Sequence, residues 1–429
     1  MARFASRFLI TYMEDKKKEK KESVLTEKER KYLPLRIVGF VLAVIIAVVA
    51  ITYGVVMIGH KDEGYSKVDA DVIDNTLIYQ DNIDFRYYFT GSSDEIKTAL
   101  NELRNRYGVA LSRVYRLLDA DKEYDGYNNI KTVNVNAGTA VKVGSELYET
   151  LKDAYAKTVE KSGYNMFAGA LYRKWNSILI LDDPLEFDPL YNENEKNRIE
   201  KISEAVNDLD NFGLEFDDSA MTVKLTVSGN YRAFVNEYEL TDAPIIDLNL
   251  LHDAYEIQLI AADLEEKGYK DGFFSSDNGL MMSLSEHDRG LLYDFTLYDN
   301  GNIMPAATAG MKKGSVVSKT RAYAEKSREY FYYTADLDGV TYRRNPYVPS
   351  DGVFSDVVMS SYIYSDTSSL ADVCYESIKI VSKKTAEEVS ELVNSMKNPA
   401  AYTLQSDTKP KLYTNSSAAE YYTVSDDYK

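Results

Sequence analysis

Histidine and cysteine are the residue types best suited to bind a soft metal or to pair as base and nucleophile, and here they stand apart. His60, His252 and His287 are the only histidines and Cys374 the only cysteine, and none pairs with another at ligand or catalytic spacing. A zinc centre and a Cys–His pair are therefore not expected. Neither a Gly-x-Ser-x-Gly turn nor a phosphate-binding glycine loop ending in Gly-Lys occurs, so hydrolase and nucleotide-loop chemistry are not expected either. Cys374 lies on an apolar stretch with Val373, Ile378 and Ile380 and reads as a small buried residue.

Asp and Glu number 68 against 50 Lys and Arg, a formal charge of −18. Such a surface repels nucleic acid and anionic headgroups, so no nucleic-acid partner is expected. The 36 tyrosines follow no period and read as interface and core-edge residues rather than as a stacking platform.

The charge is unevenly placed. Residues 1–36 hold eleven Lys and Arg against six Asp and Glu, whereas just after the next segment only Lys61 and Lys67 are basic. That next segment, 37–58, contains no charged residue, and at roughly 1.5 Å per helical residue it reaches about 30 Å, the thickness of a bilayer's hydrocarbon core. The expectation is one transmembrane helix at 37–58 with residues 1–36 held in the cytoplasm and the acidic remainder outside it. A signal peptide cleaved near Val48, Val49 and Ala50 is the rival, disfavoured by the length of the charged leader and of the apolar run. A lone cysteine deep in the chain excludes a lipobox anchor and intrachain disulfides, so the outer part must rely on its core.

Residues 59–84 show no clear period and read as a stalk; 85–400 read as one folded region, and 401–429 as a polar, frayed tail. Within the folded region Ser92 and Glu95 form a capping box, after which Ile96, Leu100, Leu103, Tyr107, Leu111, Val114 and Leu118 recur at helical spacing. A second helix follows Ser145, with Leu147, Leu151, Ala154 and Thr158 on one side. Residues 220–227 alternate, placing Met221, Val223, Leu225 and Val227 on one face of a strand, and Gly229-Asn230 suggests a turn into another. Helices are expected again over 249–267, 369–381 and 385–396, the last opened by a Thr385/Glu388 capping box. Helices mixed with hairpin-like strand pairs give an α+β fold.

Residues 115–130, 141–175, 245–280, 327–333, 339–352 and 369–380 are each weak signals alone, but their order over about residues 85–396 resembles that of the bacterial FAD:protein FMN transferase (ApbE-like) family. The resemblance implies an ApbE-like α+β domain outside the cytoplasmic membrane, FAD and Mg²⁺ as cofactors, and transfer of FMN to a threonine or serine of a redox protein. Phosphoryl-type transfer needs backbone close to a diphosphate, and positive charge to neutralise it.

Measured against that chemistry, the matching positions are altered. The family's Ile-Asp-Leu-Gly-Gly-x-x-Lys-Gly-Tyr element resembles residues 246–255, keeping Asp247 and Tyr255 but placing Asn249, Leu250 and Ala254 where glycines stand and Asp253 where the lysine stands. Glycine allows positive φ and close approach of a phosphate to the helix start, which Leu250 would obstruct. Each unit-charge contact at about 4 Å and an effective dielectric near 20 is of order 4 kcal/mol before screening, so the Lys-to-Asp reversal disfavours an anionic diphosphate. The Asn-x-Gly-Gly-Asp stretch resembles residues 275–279 without the paired glycines, and Ser-Gly-Asp-Tyr resembles 327–330, keeping Ser327 and Tyr330. His-x-x-Asp-Pro resembles 342–346, with Tyr342 and Asn345 in place of imidazole and carboxylate. Ala-Asp-x-x-x-Thr resembles 371–376, where Asp372 and Glu376, four apart on a helix, could offer two hard oxygens to Mg²⁺ or Ca²⁺ or simply form a solvated acidic face. Asp247, Tyr255, Ser327 and Tyr330 are thus the cofactor-binding candidates the resemblance implies, and Asp372 and Glu376 the metal candidates.

The expected function is a membrane-anchored, extracytoplasmic relative of the transferases that has lost catalysis and serves as a binding or assembly module. An active Mg²⁺-dependent transferase with an extracytoplasmic flavin-acceptor redox protein as partner is one alternative. An unrelated adhesin or sensor domain is the other.

Overall fold

The computed structural model of the chain describes residues 62–74, 83–179, 181, 184–189, 191–287, 291–299, 302–320, 333–337, 340–344, 352, 355 and 357–429. The basic leader and the apolar segment 37–58 lie outside the described residues, and no helix among the described residues is long and apolar enough to cross a membrane. Glu63–Lys429 forms one compact unit.

Strands β1 (Asp62–Lys67) and β2 (Ile83–Gly91) begin the main sheet. The expected stalk is therefore partly built into the domain. Val68 is buried and its N–H donates to the Phe85 carbonyl at 2.8 Å, and the Asp71 N–H donates to the Arg104 carbonyl at 3.1 Å. The Tyr65 ring meets Tyr88 and Phe273 edge-on. Backbone groups and one aromatic ring hold this segment, so no apolar alternation announces it.

Helix α1 (Ser93–Leu118) starts at the expected capping box, the Ser92 N–H donating to Glu95 Oε2 at 2.8 Å, and buries Leu103, Tyr107, Val114 and Leu118 along one stripe. Gly108 lets the Asp71 backbone pass, since a Cβ there would lie 2.2 Å from the Asp71 carbonyl oxygen. Next come α2 (Ile130–Val135), β3 (Ala140–Lys142), α3 (Ser145–Val159), α4 (Gly169–Leu179) and α5 (Glu193–Asn207). Helix α3 buries Leu147, Leu151, Ala154 and Thr158 as its spacing requires.

The alternating segment forms a hairpin, β4 (Phe212–Asp217) with β5 (Thr222–Val227), and Val223 and Leu225 are fully buried. Strand β3 adds to β5 to complete a small sheet. The chain does not turn into another strand at Gly229-Asn230: Ser228 instead caps α6 (Gly229–Glu237), its Oγ accepting the Tyr231 N–H at 3.0 Å. The hairpin turn sits at the opposite end of β5, where Asp217 Oδ1 accepts the N–H groups of Ser219 and Ala220.

A short 3₁₀ turn at Asn249–Leu251 leads into α7 (His252–Glu266). Then follow β6 (Gly272–Ser276), β7 (Leu280–Ser283), β8 (Leu291–Asp299), β9 (Asn302–Met311), β10 (Gly314–Thr320), β11 (Tyr333–Leu337), β12 (Val340–Arg344) and β13 (Val358–Ser365). Helices α8 (Leu370–Val381) and α9 (Ala386–Ser395) precede β14 (Ala400–Leu404), β15 (Tyr413–Thr414) and β16 (Tyr422–Val424). The main sheet runs β1-β2-β6-β7-β10-β13-β14-β15, and a second sheet runs β16-β9-β8.

Both faces of the main sheet are covered. Successive residues of a strand point to opposite faces, and here Leu280, Val317, Ile363 and Ala400 join the core beneath the helices while Met281, Val316, Tyr362 and Ala401 join a separate core with Phe295 and Leu297 of the second sheet. Helix α8 lies on β10 and β13, and α7 packs beside both α8 and α1.

Residues 401–429 are not a frayed tail. Leu412, Ala418, Tyr422 and Tyr428 are buried in the second core. Asn415 accepts the N–H groups of Ala400 and Ala418, each at 3.1 Å, and donates to the carbonyls of Asn398, Met396 and Val393. A buried amide side chain anchors this segment through backbone groups that composition does not reveal.

Candidate functional site

The site is built on the segment entering α7. The Asn134 amide clamps Ile246 on both sides, its Oδ1 accepting the Ile246 N–H at 2.8 Å and its Nδ2 donating to the Ile246 carbonyl at 2.9 Å. The Asp247 N–H donates to the Met166 carbonyl at 2.9 Å, and Gly169 permits that approach, because a Cβ there would lie 2.2 Å from the Pro244 carbonyl oxygen. Asp247 Oδ1 then accepts the Asn249 N–H at 2.7 Å, closing the turn, while desolvation lifts its carboxyl above the usual range.

Asn249 has φ +38, the left-handed region that glycine enters freely and asparagine enters more readily than other residues. Its side chain takes over the space a glycine would leave open. Oδ1 accepts the Leu250 N–H at 2.7 Å, and Nδ2 donates to the carbonyls of Asn165 and Asp247 at 3.0 and 2.9 Å. The backbone of this turn is stitched by its own side chain.

Beside the turn lies a cavity of about 210 Å³ lined by residues that include Tyr164, Asn165, Tyr172, Asn207, Asn249 and Leu250. Small-molecule pockets usually span about 300–1,000 Å³, so this cavity is smaller than is typical. The lining amides are largely committed within the protein: Asn165 Nδ2 donates to the Val206 carbonyl at 2.8 Å, and its Oδ1 accepts the Phe167 N–H at 2.8 Å. Among the described residues of the lining Lys161 is the only basic one, and it is exposed. Asp253, where the resemblance places a lysine, accepts from Asn278 Nδ2. Leu250 lines the cavity where the resemblance places a glycine, and Asp253 stands where it places a lysine; these two residues do not fit a diphosphate.

The cation element fares no better. Asp372 Oδ1 lies 2.7 Å from the ammonium of Lys157, and its Oδ2 accepts from Ser369 Oγ at 2.8 Å. Burial acts to raise the Asp372 carboxyl, but the hydrogen bonds from Lys157 and Ser369 outweigh it and hold the group below its ordinary value. Glu376 accepts from Asn398 Nδ2 at 2.8 Å, and burial raises its carboxyl. Among the described residues no group of three or more His, Cys, Asp and Glu is arranged to hold a metal ion.

Of the cofactor candidates, Asp247 stands at the turn, but Tyr255 points elsewhere, its hydroxyl donating to Asp153 Oδ2 at 2.7 Å. Ser327 and Tyr330 lie outside the described residues, as does Asn345. Trp175 is fully buried and its Nε1 donates to the Gly352 carbonyl at 3.1 Å, a packing role. Sequence reasoning missed Lys157 and Asp153, although their i, i+4 spacing on α3 was a readable signal. It also missed the amide of Asn207, for which no signal exists outside the fold.

Helices over one face of a twice-covered sheet, with a cavity beside the turn that enters α7, define an α+β domain. Solved structures give that architecture its particular type, that of ApbE. The chain is similar to the ApbE protein from Thermotoga maritima, with a TM-score of 0.55 and 14% identity, covering 83% of this chain and 99% of that one. It is similar to the flavin transferase ApbE from Vibrio cholerae, with a TM-score of 0.55 and 11% identity over 84% and 100% of the two chains. The apo form of the Pseudomonas stutzeri flavinyl transferase ApbE gives 0.52 and 10% over 84% and 97%. No model of a protein family matches the sequence, and no curated protein does. The fold is ApbE-like, which removes the ground for an adhesin or sensor domain of unrelated fold.

Proposed function

We propose that this chain is a membrane-anchored, extracytoplasmic protein of ApbE type that no longer transfers FMN and works as a binding or assembly module. One observation carries the reading: the turn at residues 247–251 is closed by the Asn249 side chain and bears Leu250 beside a cavity of about 210 Å³. The commitment of Asp372 to Lys157 supports it. Retained order of segments is what a shared ancestry with the transferases would leave, while the altered turn removes the means of holding their substrate.

Membrane anchoring through residues 37–58 rests on the uncharged run and the basic leader. Alkaline phosphatase fused after Lys429 should be active and the same reporter fused at residue 36 inactive; the reverse pattern would overturn the orientation.

The decisive test of the catalytic reading uses the purified full chain. It should carry no visible flavin spectrum and, given FAD, Mg²⁺ and an acceptor protein with an Asp-x-x-Thr/Ser-Gly-Ala-Thr site, should leave the acceptor without covalent flavin fluorescence. A fluorescent acceptor band that survives denaturation would refute the proposal and restore the active transferase.

A further inference from the structure

Lys157 sits in the last turn of α3 with a side chain only 6% exposed, and its ammonium bridges two elements. It lies 2.6 Å from Asp153 Oδ1 on the same helix and 2.7 Å from Asp372 Oδ1 in the first turn of α8. Each carboxylate is held from its other side as well. Tyr255 donates to Asp153 Oδ2 at 2.7 Å and Ser369 donates to Asp372 Oδ2 at 2.8 Å, while the Tyr375 ring lies 5.9 Å from the ammonium. Buried ammonium groups are retained where carboxylates neutralise them, and here two do so at once.

We propose that Lys157 is a tethered cation: its ammonium fills the position where the carboxylates of Asp153 and Asp372 converge, so the protein joins α3 to α8 without a divalent metal. The inference goes beyond the functional reading and holds whether or not the cavity accepts a flavin. Geometry also says what the position would take if the side chain were removed. An ion at the ammonium's place would lie 2.6 and 2.7 Å from the two oxygens. Calcium–oxygen distances run about 2.3–2.6 Å and magnesium–oxygen distances about 2.0–2.1 Å, so the vacated position suits Ca²⁺ better than Mg²⁺.

The experiment is calorimetric titration of the full chain with CaCl₂ and with MgCl₂, paired with thermal unfolding in the presence of either salt or of a chelator. Wild type should show no saturable binding in the millimolar range, and the chelator should leave its Tm unmoved. Lys157→Ala should bind one Ca²⁺ per chain at least about tenfold more tightly than wild type does, prefer Ca²⁺ to Mg²⁺, and regain lost Tm as Ca²⁺ is added. Adding Asp372→Asn to Lys157→Ala should abolish that binding. A folded Lys157→Ala protein that gains no Ca²⁺ binding overturns the proposal. Should Lys157→Ala not fold, the wild-type arm decides: a chelator-insensitive Tm without saturable binding supports the tethered cation. One ion per chain bound by wild type and lost in Asp372→Asn overturns it.

Discussion

Replacing Glu256 with glutamine should remove a slope from the stability-versus-pH curve. Glu256 lies on α7 with 6% of its surface exposed, and burial lifts its carboxyl from 4.5 to about 7. The imidazole of His252, 3.9 Å away, pulls it down and Asp253 pushes it further up. Tyr115 also feels its charge. A carboxyl with a raised folded value binds more protons folded than unfolded, so stability is greatest below the unfolded value and falls as pH rises from about 4.5 through about 7. A rise of roughly two and a half units corresponds to about 3 kcal/mol, an order-of-magnitude figure for a buried group. Glutamine keeps the shape without the charge. The stability of Glu256→Gln minus that of wild type should therefore grow by about 3 kcal/mol across the window and then level off. Urea denaturation at half-unit pH steps measures this directly, because titrating groups that do not interact with Glu256 cancel in the difference. Two parallel curves would refute the reasoning and mean that Glu256 ionises freely in the folded protein.

Two further substitutions test how segments read as loose are held. Asn415→Ala should cost on the order of 3 kcal/mol in urea unfolding, since it removes the side-chain acceptor of the buried Ala400 N–H and the donor to the carbonyls of Asn398 and Met396; a loss within experimental error would restore the frayed tail. Gly108→Ala should cost about 2 kcal/mol and increase amide exchange at Val68 and Asp71, because its Cβ would meet the Asp71 carbonyl oxygen at 2.2 Å; unchanged exchange there would mean that residues 68–71 do not pack on α1.

Much of the helical layer was legible because caps and apolar stripes are local. Ser92 with Glu95 and Thr385 with Glu388 open α1 and α9, and the α3 stripe of Leu147, Leu151, Ala154 and Thr158 is buried. The strand at residues 222–227 was visible for the same reason, since only one of its faces is fully buried. Strands of the main sheet were harder to see: β13 is buried on both sides, so Tyr362, Ile363 and Tyr364 form a continuous apolar run that period alone does not assign. Segments held by backbone groups were not visible at all, which is why residues 62–71 looked like a stalk and 401–429 like a tail. At the site, the altered glycine positions could be read from one turn of sequence. What fills the vacated space could not, because Asn249 bonds to Asn165 and Asp372 pairs with Lys157 across long stretches of chain.

The second sheet draws its third strand from Tyr422–Val424, which pairs with Ala307–Ala309 of β9. Synthesis must therefore reach Val424 before this layer can zip. Until then Met281, Val316, Tyr362 and Ala401 present an incompletely shielded apolar face beside the β8–β9 hairpin. A growing chain in that condition invites chaperone capture, and a stop codon shortly after Leu404 would yield an aggregating product rather than a slightly shorter working one.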